Sequence, residues 1–308
     1  MGQTIACANQ KGGVGKTTTV VNVATYLALA GERVLVIDLD PQGNATSGLG
    51  IDRAPERRSL YEALIGSASL VDLVVPTEVP SLSLVASSIA LAGAEVELAA
   101  LPQRERRLAR LLGPVEDAYD YVFLDCPPSL GLLTVNALTA AGSVLIPMQC
   151  EYYALEGLSQ LIATIHLVRD HLNPGLEVKG IVLTMHDGRT NLSSEVAAEV
   201  RRHLGHAVYE TVVPRSVRLA EAPSYGQPVA RYAPDSRGGI AYRDLAAELR
   251  RRDGRSGDGP AADTVASATV GSAAGLGEPT DAAGLGRPSV PPVAWTPTGG
   301  TTPIGDQA

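Results

Sequence analysis

The sequence predicts an α/β fold, a twisted and mostly parallel sheet with helices on both faces. Three observations carry that expectation. Short apolar runs alternate with helix-period segments from the first residues onward. The helical segments close on Gly, or stop at Asn-Pro, as helix C-termini do. The first apolar run feeds directly into a glycine-rich loop that opens a helix.

Taken in order, residues 4–9 read as a strand and 16–30 as a helix closed by Gly31. The run Val34–Asp38 follows as a second strand, which completes a βαβ beginning. Residues 56–101 resolve only into short helical pieces around a strand at 82–86. A helix at 104–112 ends at Gly113, and a strand follows at Tyr121–Asp125. Then come a helix at 132–140, a strand at 143–148 and a helix at 155–171 stopped by Asn173-Pro174. The pattern continues with strands at 178–185 and 211–213 and helices at 193–204 and 236–252. The expected folded domain is 1–253. Residues 254–308 are rich in Gly, Ala, Pro, Ser and Thr without period, so too little apolar surface is available to repay ordering. A disordered tail is expected there, and it holds the one tryptophan, Trp295.

The net charge of −8 over 308 residues gives no global sign of nucleic-acid binding, so any such contact must be a local patch. The tail carries −3 of that charge and the body −5. Cys7, Cys126 and Cys150 are widely spaced with no C-x-x-C, which argues against a disulfide framework or a zinc site. His203 and His206 have no nearby Cys or acid cluster to complete a metal site. No signal-peptide pattern and no run long enough to cross a bilayer is found, and a cytoplasmic location is expected.

The chemistry concentrates in Asn9-Gln10-Lys11-Gly12-Gly13-Val14-Gly15-Lys16-Thr17-Thr18. Two of the chain's three lysines are here; the other is Lys179. The loop reads G-x-x-x-x-G-K-[ST] with Gln10 in place of the first glycine, so it is a variant phosphate loop and predicts a P-loop NTPase-type sheet. Glycines let backbone N–H groups converge on phosphate oxygens, and the helix N-terminus adds partial positive charge. Lys16 is placed to reach the β- and γ-phosphates, and the Thr17 hydroxyl to meet Mg²⁺. Gly12, Gly13, Val14, Gly15 and Thr18 complete the cradle. Strand Val34–Asp38 ends in Asp38 and leads to Asp40; strand Tyr121–Asp125 ends in the acid expected to hold Mg²⁺ through water. Helix capping alone accounts poorly for three acids on two strand ends behind such a loop. With three lysines, none in an Asn/Thr-Lys-x-Asp run, a guanine-reading element is missing and ATP is the expected nucleotide.

Longer runs carry a resemblance. NQKGGVGKTTT, VIDLDPQGNATSGLG, IALAGAEVELA, DYVFLDCPPSLGLLTVNALTA, IPMQCEYYALEGLSQL and VVPRSVRLAEAPSYGQPV together resemble the deviant Walker A ATPases of the ParA/Soj partitioning family, over about residues 3–250. The resemblance implies that Lys11 is the signature lysine that reaches the partner's phosphates in an ATP-sandwiched homodimer, with Gly12 allowing close approach. It implies that Asp40 orients the attacking water, Thr17 ligates Mg²⁺, Asp125 holds the metal's water shell and Asp38 supports them. Pro214 and Ser216 would flank the adenine, although many relatives have Asn where Ser216 stands.

It further implies non-specific binding of double-stranded DNA by the ATP-bound dimer, with Arg189 and Arg218 at the matching positions. Such phosphate contacts give salt-dependent affinity without sequence readout. Arg201, Arg202 and Arg250–Arg252 are weaker candidates, because the helix dipole already explains cations there. Hydrolysis stimulated by a centromere-binding ParB-like partner, and a nucleoid-associated location, complete the expectation. Two alternatives use the same loop. A MinD-like membrane-cycling ATPase would end in a basic amphipathic helix, which the tail lacks. An iron–sulfur carrier would need cluster cysteines at a dimer interface.

Overall fold

The computed structural model describes residues 2–53, 58–151 and 154–255. The expected tail, apart from Gly254 and Arg255, lies outside the described residues, as does Trp295. The strands are β1 (Gln3–Cys7), β2 (Val34–Asp38), β3 (Val74–Pro76), β4 (Leu82–Val85), β5 (Tyr121–Asp125), β6 (Ser143–Gln149) and β7 (Glu177–Thr184). They form one sheet in the order β3-β4-β2-β5-β1-β6-β7. Every pairing is parallel except β3 with β4 at the edge.

Strand side chains alternate between two cores, as a period of two requires. Ala6, Leu35, Ile37, Val122 and Leu124 face one layer; Ile5, Cys7, Val34, Val36, Tyr121 and Phe123 face the other. The first layer holds α3 (Leu60–Ile65), α4 (Leu91–Ala99), α5 (Arg107–Leu112), α6 (Leu132–Ala140), α7 (Ala154–His171) and α8 (Asn191–Leu204). The second holds α1 (Lys16–Leu29), α2 (Asn44–Gly48), α10 (Val229–Tyr232) and α11 (Arg237–Arg252); α9 (Val217–Glu221) precedes α10. Helices on both faces of a parallel sheet are what the sequence predicts.

Local chemistry sets the ends. Ser59 and Glu62 form a reciprocal capping box on α3, and the Ser236 hydroxyl accepts the Gly239 N–H at the start of α11. Gly31, at φ +91°, closes α1 in the left-handed region that favours glycine.

Three elements differ from expectation. Residues 211–213 run beside β7, and Val213 donates to the Leu183 carbonyl, but the bridges are isolated ones, Ile181 with Val208 and His186 with Pro214; between Ile181 and His186, Met185, at φ +51°, interrupts the extended chain. The 104–112 segment divides into a tight turn at Arg104–Arg106 and the helix Arg107–Leu112. Within 56–101, of which residues 56 and 57 lie outside the described residues, α3 and α4 are the expected short helical pieces around the expected strand, and the structure adds the edge strand β3.

At the N-terminal ends of the strands the charges are paired. Arg33 forks onto Asp120 at 3.0 and 3.1 Å, and Arg250 and Arg255 both meet Glu32, at 3.0 and 2.7 Å. Arg255 also lies over the Tyr121 ring. Lys179 is 2.5 Å from Asp253, and both side chains are nearly buried. Arg252 pairs with Glu248 and covers the Tyr209 ring. Arg250 and Arg252 therefore have structural work within the fold.

Candidate active site

The parallel register brings the two strand-end acids together. Asp125 stands opposite Cys7 on β1 and opposite Asp38 on β2. The chain leaves β1 into the phosphate loop directly over them. β1 is also where the order of connections reverses, β2 lying to one side and β6 to the other, and ligands of open α/β sheets bind beyond the strand ends at such a point.

Gly13 (φ +73°) and Gly15 (φ +87°) take the left-handed backbone that folds the loop back on the start of α1. Asn9 braces it, accepting the Lys11 N–H at 3.0 Å and donating to the Pro147 carbonyl at 2.8 Å. Thr184 donates to the Val14 carbonyl at 2.8 Å. The two lysines diverge. Lys16 is buried, and its ammonium donates back to the Lys11 carbonyl at 3.2 Å, inside the curl of the loop. The Lys11 side chain is 39% exposed and reaches outward to Glu151 at 2.6 Å, a carboxylate also held by Gln149. A Cβ added to Gly12 would meet nothing nearer than Pro128 at 3.8 Å, so the loop's outer surface is open there.

Beneath the loop, Asp125 is fully buried, and neither of its oxygens has a hydrogen-bond partner among the described residues. Burial pushes its carboxyl well above the usual range; the nearby Asp38 charge adds to this, and the Thr17 hydroxyl beside it pulls the other way. Burial likewise raises Asp38, to about 6, against the hydrogen bonds it receives from Thr46 and Asp40. A buried carboxylate left without donors is a costly arrangement that a cation relieves. Among the described residues no cluster of three or more His, Cys, Asp or Glu side chains could hold a metal. A magnesium ion here would therefore rest on the Thr17 hydroxyl, waters held by Asp125 and phosphate oxygens, a donor set that suits its reluctance to dehydrate. The residues present fit that ion.

Asp40 is also buried, at 7% exposure, and its Oδ1 accepts the Gln42 N–H at 2.9 Å. On the other side of the loop, Pro214 and Ser216 line a cavity of about 250 Å³ together with Gly15, Thr18, Thr184 and Tyr242. The fold thus gathers Lys11 to Thr18, Asp38, Asp40, Asp125, Pro214 and Ser216 at one end of the sheet. Spacing in the sequence gave no hint of the supporting contacts of Glu151, Thr46, Thr184 and Ser87.

The two arginines expected at DNA lie on adjoining segments, since His186 and Arg215 exchange backbone bonds with each other's strands. Arg189 is 87% exposed and forks onto Asp187; Arg218 is 58% exposed and pairs with Glu221. Cys7, Cys126 and Cys150 are all buried, and burial pushes each thiol upward. None is offered at a surface where a cluster could be shared.

Comparison with known proteins agrees with this geometry. Residues 2–178 match the family described as an AAA domain. The sporulation initiation inhibitor protein Soj of Bacillus subtilis is 55% identical over 249 residues, 81% of this chain and 98% of the relative. The chromosome partitioning protein ParA of Caulobacter vibrioides is 52% identical over 81% of this chain and 94% of its own length. The chain belongs to the ParA/Soj family of partitioning ATPases. Among solved structures it is similar to the cobyrinic acid a,c-diamide synthase of Mycobacterium smegmatis with bound ADP and magnesium, at 39% identity, a TM-score of 0.72, and coverage of 82% of this chain and 96% of that one. The septum site-determining protein MinD of Pyrococcus horikoshii, complexed with Mg-ADP, shares the fold at 24% identity and a TM-score of 0.70, covering 82% of this chain and 98% of that one. Membership in the family accounts for the variant loop and for acids at two neighbouring strand ends. No helix among the described residues is long and apolar enough to cross a membrane.

Proposed function

We propose that this chain is an ATP-dependent DNA-partitioning ATPase. Its ATP-bound homodimer binds double-stranded DNA without sequence preference and is reset by hydrolysis when a ParB-like partner stimulates it. The observation that carries this reading is the divergence of the two loop lysines. Lys16 is turned into its own loop, whereas Lys11 stands on the open outer surface beside Gly12. A cation facing away from its own cradle suits the phosphates of a second subunit, and a charge-assisted contact to them couples pairing to the triphosphate.

In this reading backbone N–H groups from Gly12 to Thr18 cradle the phosphates and Lys16 neutralises the β- and γ-oxygens. Bound Mg²⁺ supplies charge neutralisation at the transferred phosphoryl group. Thr17 offers it an oxygen, and Asp125 orients its waters. Asp40 positions the attacking water. Pro214 and Ser216 flank the base; a cavity of about 250 Å³ suits a planar ring rather than a whole nucleotide. Arg189 and Arg218 exchange their own carboxylates for DNA phosphates, so affinity falls with salt. The protein then acts in the cytoplasm on the nucleoid, without a membrane partner.

The test measures DNA binding with ATP, with ADP and without nucleotide. Binding is expected with ATP alone; equal binding in all three states refutes the switch. Lys11→Ala is expected to abolish ATP-dependent dimers and partner-stimulated hydrolysis while ATP still binds. Lys16→Ala is expected to lose nucleotide handling itself.

A further inference from the structure

Asp40 is held by its peptide group, and both ends of that grip lead to one side chain. The Asp40 N–H donates to Asp38 Oδ1 at 3.1 Å, and the Asp40 carbonyl accepts the Ser87 hydroxyl at 2.5 Å. Asp38 is fixed in turn through Oδ2, which accepts the Thr46 N–H at 2.8 Å and the Thr46 hydroxyl at 2.7 Å. Ser87 is fixed through its own N–H, which donates to the Thr46 hydroxyl oxygen at 3.0 Å. The Thr46 hydroxyl thus donates to one arm and accepts from the other, closing a ring of four residues. Thr46 and Asp38 are wholly buried and Ser87 nearly so, which leaves no water to replace a lost bond.

We propose that Thr46 is the positioning residue for Asp40. Its hydroxyl sets the geometry of the water-orienting carboxylate without touching nucleotide or metal. The proposal rests on the reading that Asp40 orients the attacking water. Its physical basis is that a misplacement of about 1 Å in a catalytic group can cost roughly 100-fold in rate. The Asp40 carbonyl also accepts the Gly43 N–H at 2.8 Å, so the loop retains a fold when the ring is opened and loses only its exact setting.

The experiment compares Mg-ATP hydrolysis by full-length wild-type, Thr46→Val, Thr46→Ser and Asp40→Ala proteins, with thermal unfolding of each. Thr46→Val keeps the shape of the buried side chain and removes the hydroxyl. It is expected to lower kcat about tenfold with KM for ATP unchanged. Thr46→Ser restores the hydroxyl and is expected to recover most of kcat. Two outcomes overturn the proposal alone while Asp40→Ala is inactive: Thr46→Val retaining kcat within twofold, or KM and melting temperature collapsing together with no recovery in Thr46→Ser. Full hydrolysis by Asp40→Ala would overturn the Asp40 reading and this inference with it.

Discussion

The two ends of the sheet treat charge in opposite ways. At the N-terminal ends of the strands, Arg33, Glu32, Asp120, Lys179, Asp253, Arg250 and Arg255 form pairs in which each ion finds an opposite one. At the C-terminal ends, Asp38 and Asp125 sit side by side in neighbouring strands, buried, and the Asp125 oxygens have no hydrogen-bond partner among the described residues. One end is electrostatically complete without a ligand; the other leaves buried carboxylates without an opposite charge paired to them among the described residues. Charge left uncompensated in a cleft is a physical marker of function, because a fold selected for stability alone would remove it.

Substitutions that reverse this contrast give the sharpest tests. Lys179→Met leaves Asp253 nearly buried without its cation, and breaking such a pair costs about 3 kcal/mol. The loss should be read by chemical denaturation, with nucleotide affinity unchanged; a nearly neutral variant would mean the lower end is not a stabilising network. Asp125→Asn does the opposite. Hydrolysis should fall about 10- to 100-fold, as when a group orienting a metal's ligands is removed, while the melting temperature of the nucleotide-free protein holds or rises. If that variant melted much earlier, Asp125 would be a structural acid.

The smallest expected effect is acid sensitivity at Asp120. The Arg33 guanidinium holds its carboxyl down at about 2, below its ordinary value of 3.8. A depressed pKa contributes stability that is present above about pH 4 and lost as the pH falls toward 2. Asp120→Asn should therefore be less stable than wild type at pH 7 and converge with it near pH 2, as followed by thermal unfolding. A gap that stayed constant with pH would exclude the pairing.

Much of this was legible in the sequence, and the limits are physical. The phosphate loop is a local feature: glycine spacing, the preceding strand and the following helix lie within some twenty residues, so pattern and structure coincide. Asp38 and Asp125 were legible as strand ends, and parallel pairing then made them neighbours. The edge strand Val74–Pro76 escaped because three residues carry no period, and its proline suits only an edge. Thr46 and Ser87 escaped for a different reason. They are common residues 41 positions apart, joined only by folding. Residues 211–213 misled because a short apolar run signals extended chain, while sheet membership depends on an unbroken register with the neighbouring strand, which the left-handed Met185 interrupts.

The anchoring of Arg255 has a practical consequence. Its partners, Glu32 and Asp120, directly precede the region where β2 and β5 begin, so Arg255 is held at the foot of the sheet. Five residues of strand, roughly 16 Å, separate that foot from Asp38 and Asp125 at the top. A fluorescent reporter or surface tether joined after Arg255 is thus attached at the end away from Lys11 and Gly12. This makes it a suitable handle for watching pairing and release in real time.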